Sequence, residues 1–345
     1  MKKKMTAFIL AGSIVFLAGG CGGREITQPE SIIDTENQSI PMTEMPEGIE
    51  TEDIEYAESG EDREFSFADL SRSEFWFCSG AGAWATILNV KEDGNFSGGY
   101  YDVDAGASGE GYPNGTVYLC NFSGKFSQPE KRNSYTYAVQ IEELVYEEDE
   151  GAEEITDGRR YIYSYAYGLN DTEEMLIYLP GAPLAELSEE FRIWVGYYDL
   201  SSTEETELPF YALHNKPCEY GFYSYDIVEN LKENMSFWEE SAADIEAAIR
   251  EGTLTQTEYN EKAAELYRIW DYALNQVWGV LKRTLEPEAM DALTVEEREW
   301  IAMKEQAVQE AGAEFEGGTM QQMIMDNAAA ELTRERVYEL YEMVP

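Results

Sequence analysis

TQTEYNEKAAELYRIWDYALNQVWGVL, residues 255–281, opens on a threonine with glutamate three places on and then carries Leu266, Ile269, Trp270, Leu274, Val277 and Leu281 at helical spacing. The hydroxyl and carboxylate of Thr255-Gln256-Thr257-Glu258 can satisfy the free N–H groups of a first turn, and the apolar stripe gives the helix one face to bury. Ser236-Phe237-Trp238-Glu239 and Thr294-Val295-Glu296-Glu297 repeat the capping signature and predict two further helix starts. Leu293, Trp300, Met303 and Val308 form a second stripe, and Leu332, Val337, Leu340 and Tyr341 a third. Gly252, Pro287 and Gly317-Gly318 mark the breaks, so residues 218–345 read as a four-helix domain.

Upstream the texture changes to strand. Between residues 65 and 217, short runs rich in Tyr, Phe, Val and Ile are separated by turn signals such as Glu92-Asp93-Gly94-Asn95, Pro113-Asn114-Gly115, Asp157-Gly158 and Leu169-Asn170-Asp171. Tyr161, Tyr163, Tyr165 and Tyr167 alternate with smaller residues and should share one face of a strand, a candidate stacking platform for sugars or peptides. Tyr135, Tyr137, Val139 and Ile141 repeat the pattern, and Phe191, Ile193 and Val195 with Trp194 suggest another strand. With no helix-length segment between these runs, the expected fold class is α+β: an antiparallel β-sandwich or small barrel followed by the helical domain.

Further upstream, residues 22–64 are acidic, with Pro, Ser and Thr and almost no aromatic residues, and read as a disordered stalk that cannot bury enough apolar surface to offset chain entropy. Residues 1–21 read as a lipoprotein export signal. Lys2, Lys3 and Lys4 form a basic region, Ala7 to Leu17 an apolar one, and Leu17-Ala18-Gly19-Gly20-Cys21 a small-residue cleavage site ending in the cysteine to be acylated. The apolar run is short of the roughly 18 residues a bilayer span needs. The expected location is therefore extracytoplasmic, with lipid on Cys21 as the membrane anchor.

At 345 residues with 43% hydrophobic content the chain can build real cores, and its net charge of −45 excludes nucleic acid as a partner while favouring cationic ones. Cys78 and Cys120 lie in strand-like runs and are candidates for a disulfide worth about 4 kcal/mol, with three buried free thiols as the alternative. His214 is the single histidine, which leaves no His-x-x-x-His zinc motif, and the chain has no phosphate loop and no Cys-x-x-Cys. Asp102, Asp104 and Glu110 span a glycine-rich turn and are a candidate calcium site, set against a plain hairpin loop; no other cofactor is expected. A paired-carboxylate hydrolase is conceivable from the abundance of acids alone, but spacing in sequence says nothing of the separation such catalysis needs.

The helical half resembles a known family. Leu274-Asn275-Gln276 with Trp278 and Leu281, Leu293, Glu297-Arg298-Glu299-Trp300-Ile301 with Lys304, Gly317-Gly318-Thr319, and Leu332-Thr333-Arg334-Glu335-Arg336-Val337 are similar, in order and spacing, to the N-terminal domain of LprI-like lysozyme inhibitors. That resemblance runs from about Leu266 to Tyr341. It implies a small helical exported domain that binds and blocks lysozyme, with Trp278, Arg298, Trp300 and Lys304 as candidate partner-binding residues. Trp278 and Trp300 also suit a helical core. Many members carry a cysteine after the Trp-Ile segment and another before the Leu-Thr-x-x-Arg segment. Here those neighbourhoods are Gln306-Ala307-Val308 and Asp326-Asn327-Ala328, a paired loss that fits replacement of a staple by packing.

The sequence thus points to a non-enzymatic surface lipoprotein, of the kind Gram-positive bacteria tether outside the membrane, that binds lysozyme or another cationic extracellular protein. A sugar- or peptide-binding sensory module and a cell-wall hydrolase are the alternatives.

Overall fold

The computed structural model describes residues 64–345 apart from 80–82, 171 and 173. The export segment with Cys21, and the stalk as far as residue 63, lie outside the described residues. No described helix is long and apolar enough to cross a membrane.

The strands are β1 (Ser73–Cys78), β2 (Trp84–Val90), β3 (Asn95–Asp104), β4 (Thr116–Phe126), β5 (Glu130–Lys131), β6 (Thr136–Val139), β7 (Ile141–Tyr146), β8 (Glu153–Thr156), β9 (Arg159–Tyr163), β10 (Met175–Tyr178), β11 (Ala212–Asn215) and β12 (Tyr220–Asp226). Antiparallel pairing runs β4–β3–β2–β1–β12–β11–β10–β6. A bend at Gln140 separates β6 from β7, and β7 pairs antiparallel with β4 from Phe122↔Tyr146 to Phe126↔Ile141. The circuit returns to its start. Eight staves (β1 to β4, the bent β6–β7 taken as one, and β10 to β12) therefore close an antiparallel barrel, the second of the two architectures expected. The β8–β9 hairpin hangs outside, with β9 parallel to β4.

Eight staves enclose a space that side chains can fill. Phe75, Phe77, Leu88, Phe96, Phe122, Ile177, Leu213 and Phe222 are among the buried residues that fill it. Two rings owe their places to glycine: Gly98 stands opposite Phe122 and Gly124 opposite Phe96. A Cβ on Gly98 would lie 2.6 Å from Phe122 Cζ, and one on Gly124 would lie 2.4 Å from Phe96 Cζ.

Both mouths are covered. At one, the 3-10 turn Phe67–Leu70 inserts Phe67 and Leu70, with Phe65 against the Tyr137 ring at 4.9 Å. At the other lies the segment that follows β9. The tyrosine run was expected to be one strand, but pairing stops at Tyr163 and the chain turns across the mouth, burying Ala166 and Leu169 and leaving Tyr165 exposed. Thr86 Oγ1 donates to the Tyr167 carbonyl at 2.6 Å and Asn215 Nδ2 to the Gly168 carbonyl at 2.9 Å, so two separate staves hold the cover. Alternation continued past Tyr163, but beyond the bond from Ser164 N–H to the Leu119 carbonyl the β4 backbone is taken by β7, and the four tyrosines do not form a single face.

The expected disulfide between Cys78 and Cys120 does not form; neither sulfur is bridged. β1 and β4 are separated by β2 and β3, so the two cysteines stand about 14 Å apart at about 4.8 Å per stave, far beyond the roughly 7 Å that a disulfide spans. They also point opposite ways, Cys78 outward to the Tyr223 hydroxyl and Cys120 into the barrel. Burial pushes the Cys120 thiol up to about 12.

Between β10 and β11 the chain makes an excursion containing α1 (Glu189–Trp194), where a strand was expected. Ser188 caps this helix through Phe191 N, and Phe191, Leu184, Leu187 and Leu208 bury against the outside of the barrel. His214 anchors the excursion. Its Nδ1 lies 3.1 Å from the Tyr178 hydroxyl and its Nε2 3.0 Å from Glu219, which also accepts from Ser188 Oγ.

Four long helices follow: α2 (Ile227–Glu251), α3 (Gln256–Thr284), α4 (Pro287–Ala313) and α5 (Gln321–Tyr341). The Thr255–Glu258 capping box is present as expected. Ser236 and Thr294 start nothing: they lie inside α2 and α4, and Thr294 Oγ1 donates instead to the Met290 carbonyl. The sheet extends through β12 to Asp226, whose carboxylate caps α2 directly, and Pro287 opens α4 as its first residue instead of closing α3. Barrel and bundle meet at Arg283 near the end of α3. It donates Nη2 to the carbonyls of Ser71 (3.2 Å) and Ser73 (2.7 Å) and Nη1 to Glu74 (3.4 Å). Glu74 also accepts from Trp76 Nε1 and the Tyr225 hydroxyl.

Burial lowers the affinity of His214 for a proton, against the opposing pull of Glu219. The unfolded chain therefore protonates first. The stability this site contributes is intact above about pH 6.5 and is lost as pH falls from there through the folded value. Between about pH 7 and about pH 5, the unfolding free energy should fall more steeply for the native chain than for His214→Gln. Parallel curves would show that His214 contributes nothing to the pH dependence.

Candidate functional site

Glu297, Trp300 and Lys304 lie at i, i+3 and i+7 on α4 and so share the face that meets α5. Opposite them Arg336, with its side chain 5% exposed, donates Nε to Glu297 (2.9 Å) and Nη1 to Glu296 and Glu339 (2.9 Å each). Burial alone would lower its proton affinity, but the carboxylates of Glu339, Glu297 and Glu296 outweigh that and raise it above the ordinary arginine value. Arg336 Nη2 and, one turn earlier, Thr333 Oγ1 find no hydrogen-bond partner among the described residues. The guanidinium carbon sits 5.9 Å from the centre of the Trp300 ring, on which Lys304 Nζ also lies, at 4.9 Å. Lys304 then reaches α3, with its ammonium 5.4 Å from the Tyr267 ring and 3.3 Å from the Tyr267 hydroxyl.

Beside this clamp runs a groove of about 400 Å³, lined by Tyr267, Lys304, Glu305, Val308, Gln309, Gln322, Met325, Asp326 and Ala329. Asp326 is 9% exposed and accepts from Gln322 Nε2 at 2.9 Å. The groove is negative in character. Burial, and then the charges of Asp271, Asp326 and Glu305, push the Tyr267 phenol up to about 12. Val308 and Asp326 fall in the two neighbourhoods where LprI-like proteins were noted to carry cysteines, and they line one groove. At its far end the helices approach closely: a Cβ on Gly312 would stand 2.6 Å from Met325 Cγ.

Of the four expected partner-binding residues, Trp300 and Lys304 are brought together, and Arg298 and Trp278 are not part of the grouping. Arg298 is exposed, and Trp278 packs against the helical core. Sequence reading missed Glu297, Tyr267, Asp326 and Arg336 as members of the site. The signals available were that Glu297 and Arg336 stand in the segments that carry the LprI resemblance and that Asp326 stands in one of the two neighbourhoods where a cysteine is replaced.

The calcium expectation is not supported. Asp104 Oδ1 is taken by the amides of Gly106 (2.9 Å) and Ala107 (3.0 Å) in its own turn, and Glu110 is exposed in the following loop. No group of three or more His, Cys, Asp or Glu among the described residues could hold a metal ion. His214 contacts the Tyr178 hydroxyl and Glu219, and Ser188 bonds to Glu219 and not to the imidazole.

Breaking one half of a buried ion pair leaves the other charge stranded. Arg336→Met should therefore destabilise the chain by about 3 kcal/mol in urea unfolding, and adding Glu297→Gln should recover much of that loss. No recovery in the double variant would mean that the pair is not the clamp.

The clamp and groove fall where a comparison with known families finds its match. The family model described as lysozyme inhibitor LprI matches residues 248–340, from the last turn of α2 to the last turn of α5. An uncharacterized protein of Rhizobium meliloti (strain 1021) is 29% identical over 104 residues, an overlap covering 26% of this chain and 75% of that protein. No solved structure matches. The C-terminal helical region, with its Glu297–Arg336 clamp, is thus similar over residues 248–340 to lysozyme inhibitor LprI.

Proposed function

We propose that this chain is a lipid-anchored, extracytoplasmic binding protein whose helical domain captures and blocks lysozyme or a similar cationic protein, without catalysing a reaction of its own. The match of residues 248–340 to lysozyme inhibitor LprI carries the reading. A net charge of −45 supports it, since a strongly acidic surface speeds encounter with a basic partner. The barrel serves as the base of this module. Aromatic side chains fill the barrel and both mouths are covered, which leaves no room for a sugar or peptide inside it.

Cys21 is proposed as the acylated residue and the point of attachment. The Cys21→Ser chain should accordingly be released from membranes. In released form it should reduce lysozyme activity in a cell-wall turbidity assay in a saturable, dose-dependent way at physiological salt. Full lysozyme activity at tenfold molar excess of the chain would contradict the inhibitor reading, and continued membrane retention of the variant would contradict the anchor.

A further inference from the structure

We infer that the groove between α4 and α5 receives one lysine or arginine side chain of the partner, with Asp326 as the counter-charge at its floor. This rests on the reading of the helical domain as a binder of cationic protein, and adds where the contact falls and what chemistry makes it.

Four observations converge on such a guest. First, the floor is a buried carboxylate for which Gln322 is the one hydrogen-bond donor among the described residues, although a carboxylate can accept about four. Second, Val308, Met325 and Ala329 give apolar contact to a methylene stem while the charged head reaches Asp326. Third, the rim already holds an ammonium: Lys304 rests on the faces of Trp300 and Tyr267, with no ion-pair partner among the described residues. The aromatic faces of Trp300 and Tyr267 hold that ammonium, and it makes no ion pair with Asp326, so the carboxylate is left to a cation from outside. Fourth, Glu305 and Asp326 outnumber Lys304 along the lining, with Asp271 adding its charge from behind Tyr267. An anion would meet that excess, and a purely apolar guest would strip solvent from Asp326 without replacing it. The volume of about 400 Å³ suits one long side chain together with the backbone that delivers it.

The test is titration calorimetry of the full chain with lysozyme at physiological salt. Asp326→Asn, which keeps the Gln322 contact, should weaken binding tenfold or more, while Glu240→Gln, an equal loss of charge on exposed α2, should weaken it less than twofold. Val308→Arg, which fills the groove with a cation of its own, should abolish binding while the unfolding midpoint stays near the native value. It therefore decides the matter should Asp326→Asn fold poorly. If the native chain binds and these variants bind equally well, the groove inference is overturned and the inhibitor reading stands. If the native chain does not bind lysozyme, that reading fails and the groove is judged by a second probe: N-acetyl-arginine amide, followed through the methyl NMR signals of Val308, Met325 and Ala329. A saturable shift that is absent with the citrulline analogue and absent in Asp326→Asn supports the inference. No shift overturns it.

Discussion

The seam between the barrel and the helices turns on one guanidinium. Arg283 leaves the last turn of α3 and offers its hydrogens to the carbonyls of Ser71 and Ser73, where the chain enters β1, and to Glu74, with its side chain only 22% exposed. Such a group holds its place only while every partner is present, because a buried charge that loses its partners is costly. Glu74 is likewise committed, accepting from Trp76 and Tyr225 as well as from Arg283. On the other side of the same seam, Arg72 pairs with Asp226 at 2.9 Å and Asp226 caps α2, so the last strand passes into the first long helix without a linker.

That arrangement divides the labour within the molecule. The barrel is packed with aromatic side chains and closed at both mouths, which makes it stiff and leaves it little inner space to offer a ligand. The helices present the groove and the clamp. α4 packs chiefly on α5, and its stripe is unusual in burying Glu297 where an aliphatic residue would be expected, so the Arg336 ion pair positions a helix that apolar contact alone would hold weakly. Trp300 lies against the Arg336 guanidinium, Lys304 lies in turn on Trp300, and Lys304 helps to line the groove.

Features carried by local periodicity could be read from the chain. The α3 stripe, the Thr255 cap and the β texture from residue 65 all rest on neighbours a few places apart, and each is found. The misreadings share a cause. Ser236, Thr294 and the run from Tyr161 to Tyr167 satisfy a local rule, but the outcome was set by distant partners: a strand feeding α2 from Asp226, a proline opening α4, and barrel walls at Thr86 and Asn215 holding a loop. Phe191 to Val195 reads equally well as strand or helix over so short a span, and the Ser188 cap decided it. In the site, Trp300 and Lys304 stood out by type. Arg336 and Glu297, 39 residues apart, could be joined only once the helices were laid side by side.

The account makes barrel and bundle a single cooperative body in which the helical face is presented without play. Urea unfolding of Arg283→Met, followed in parallel by tryptophan fluorescence and far-UV circular dichroism, addresses that directly. The native chain should show coincident transitions, and the variant should separate into two, with the helices losing structure before the barrel. Coincident transitions at an unchanged midpoint in the variant would contradict the claim that this guanidinium joins the two halves.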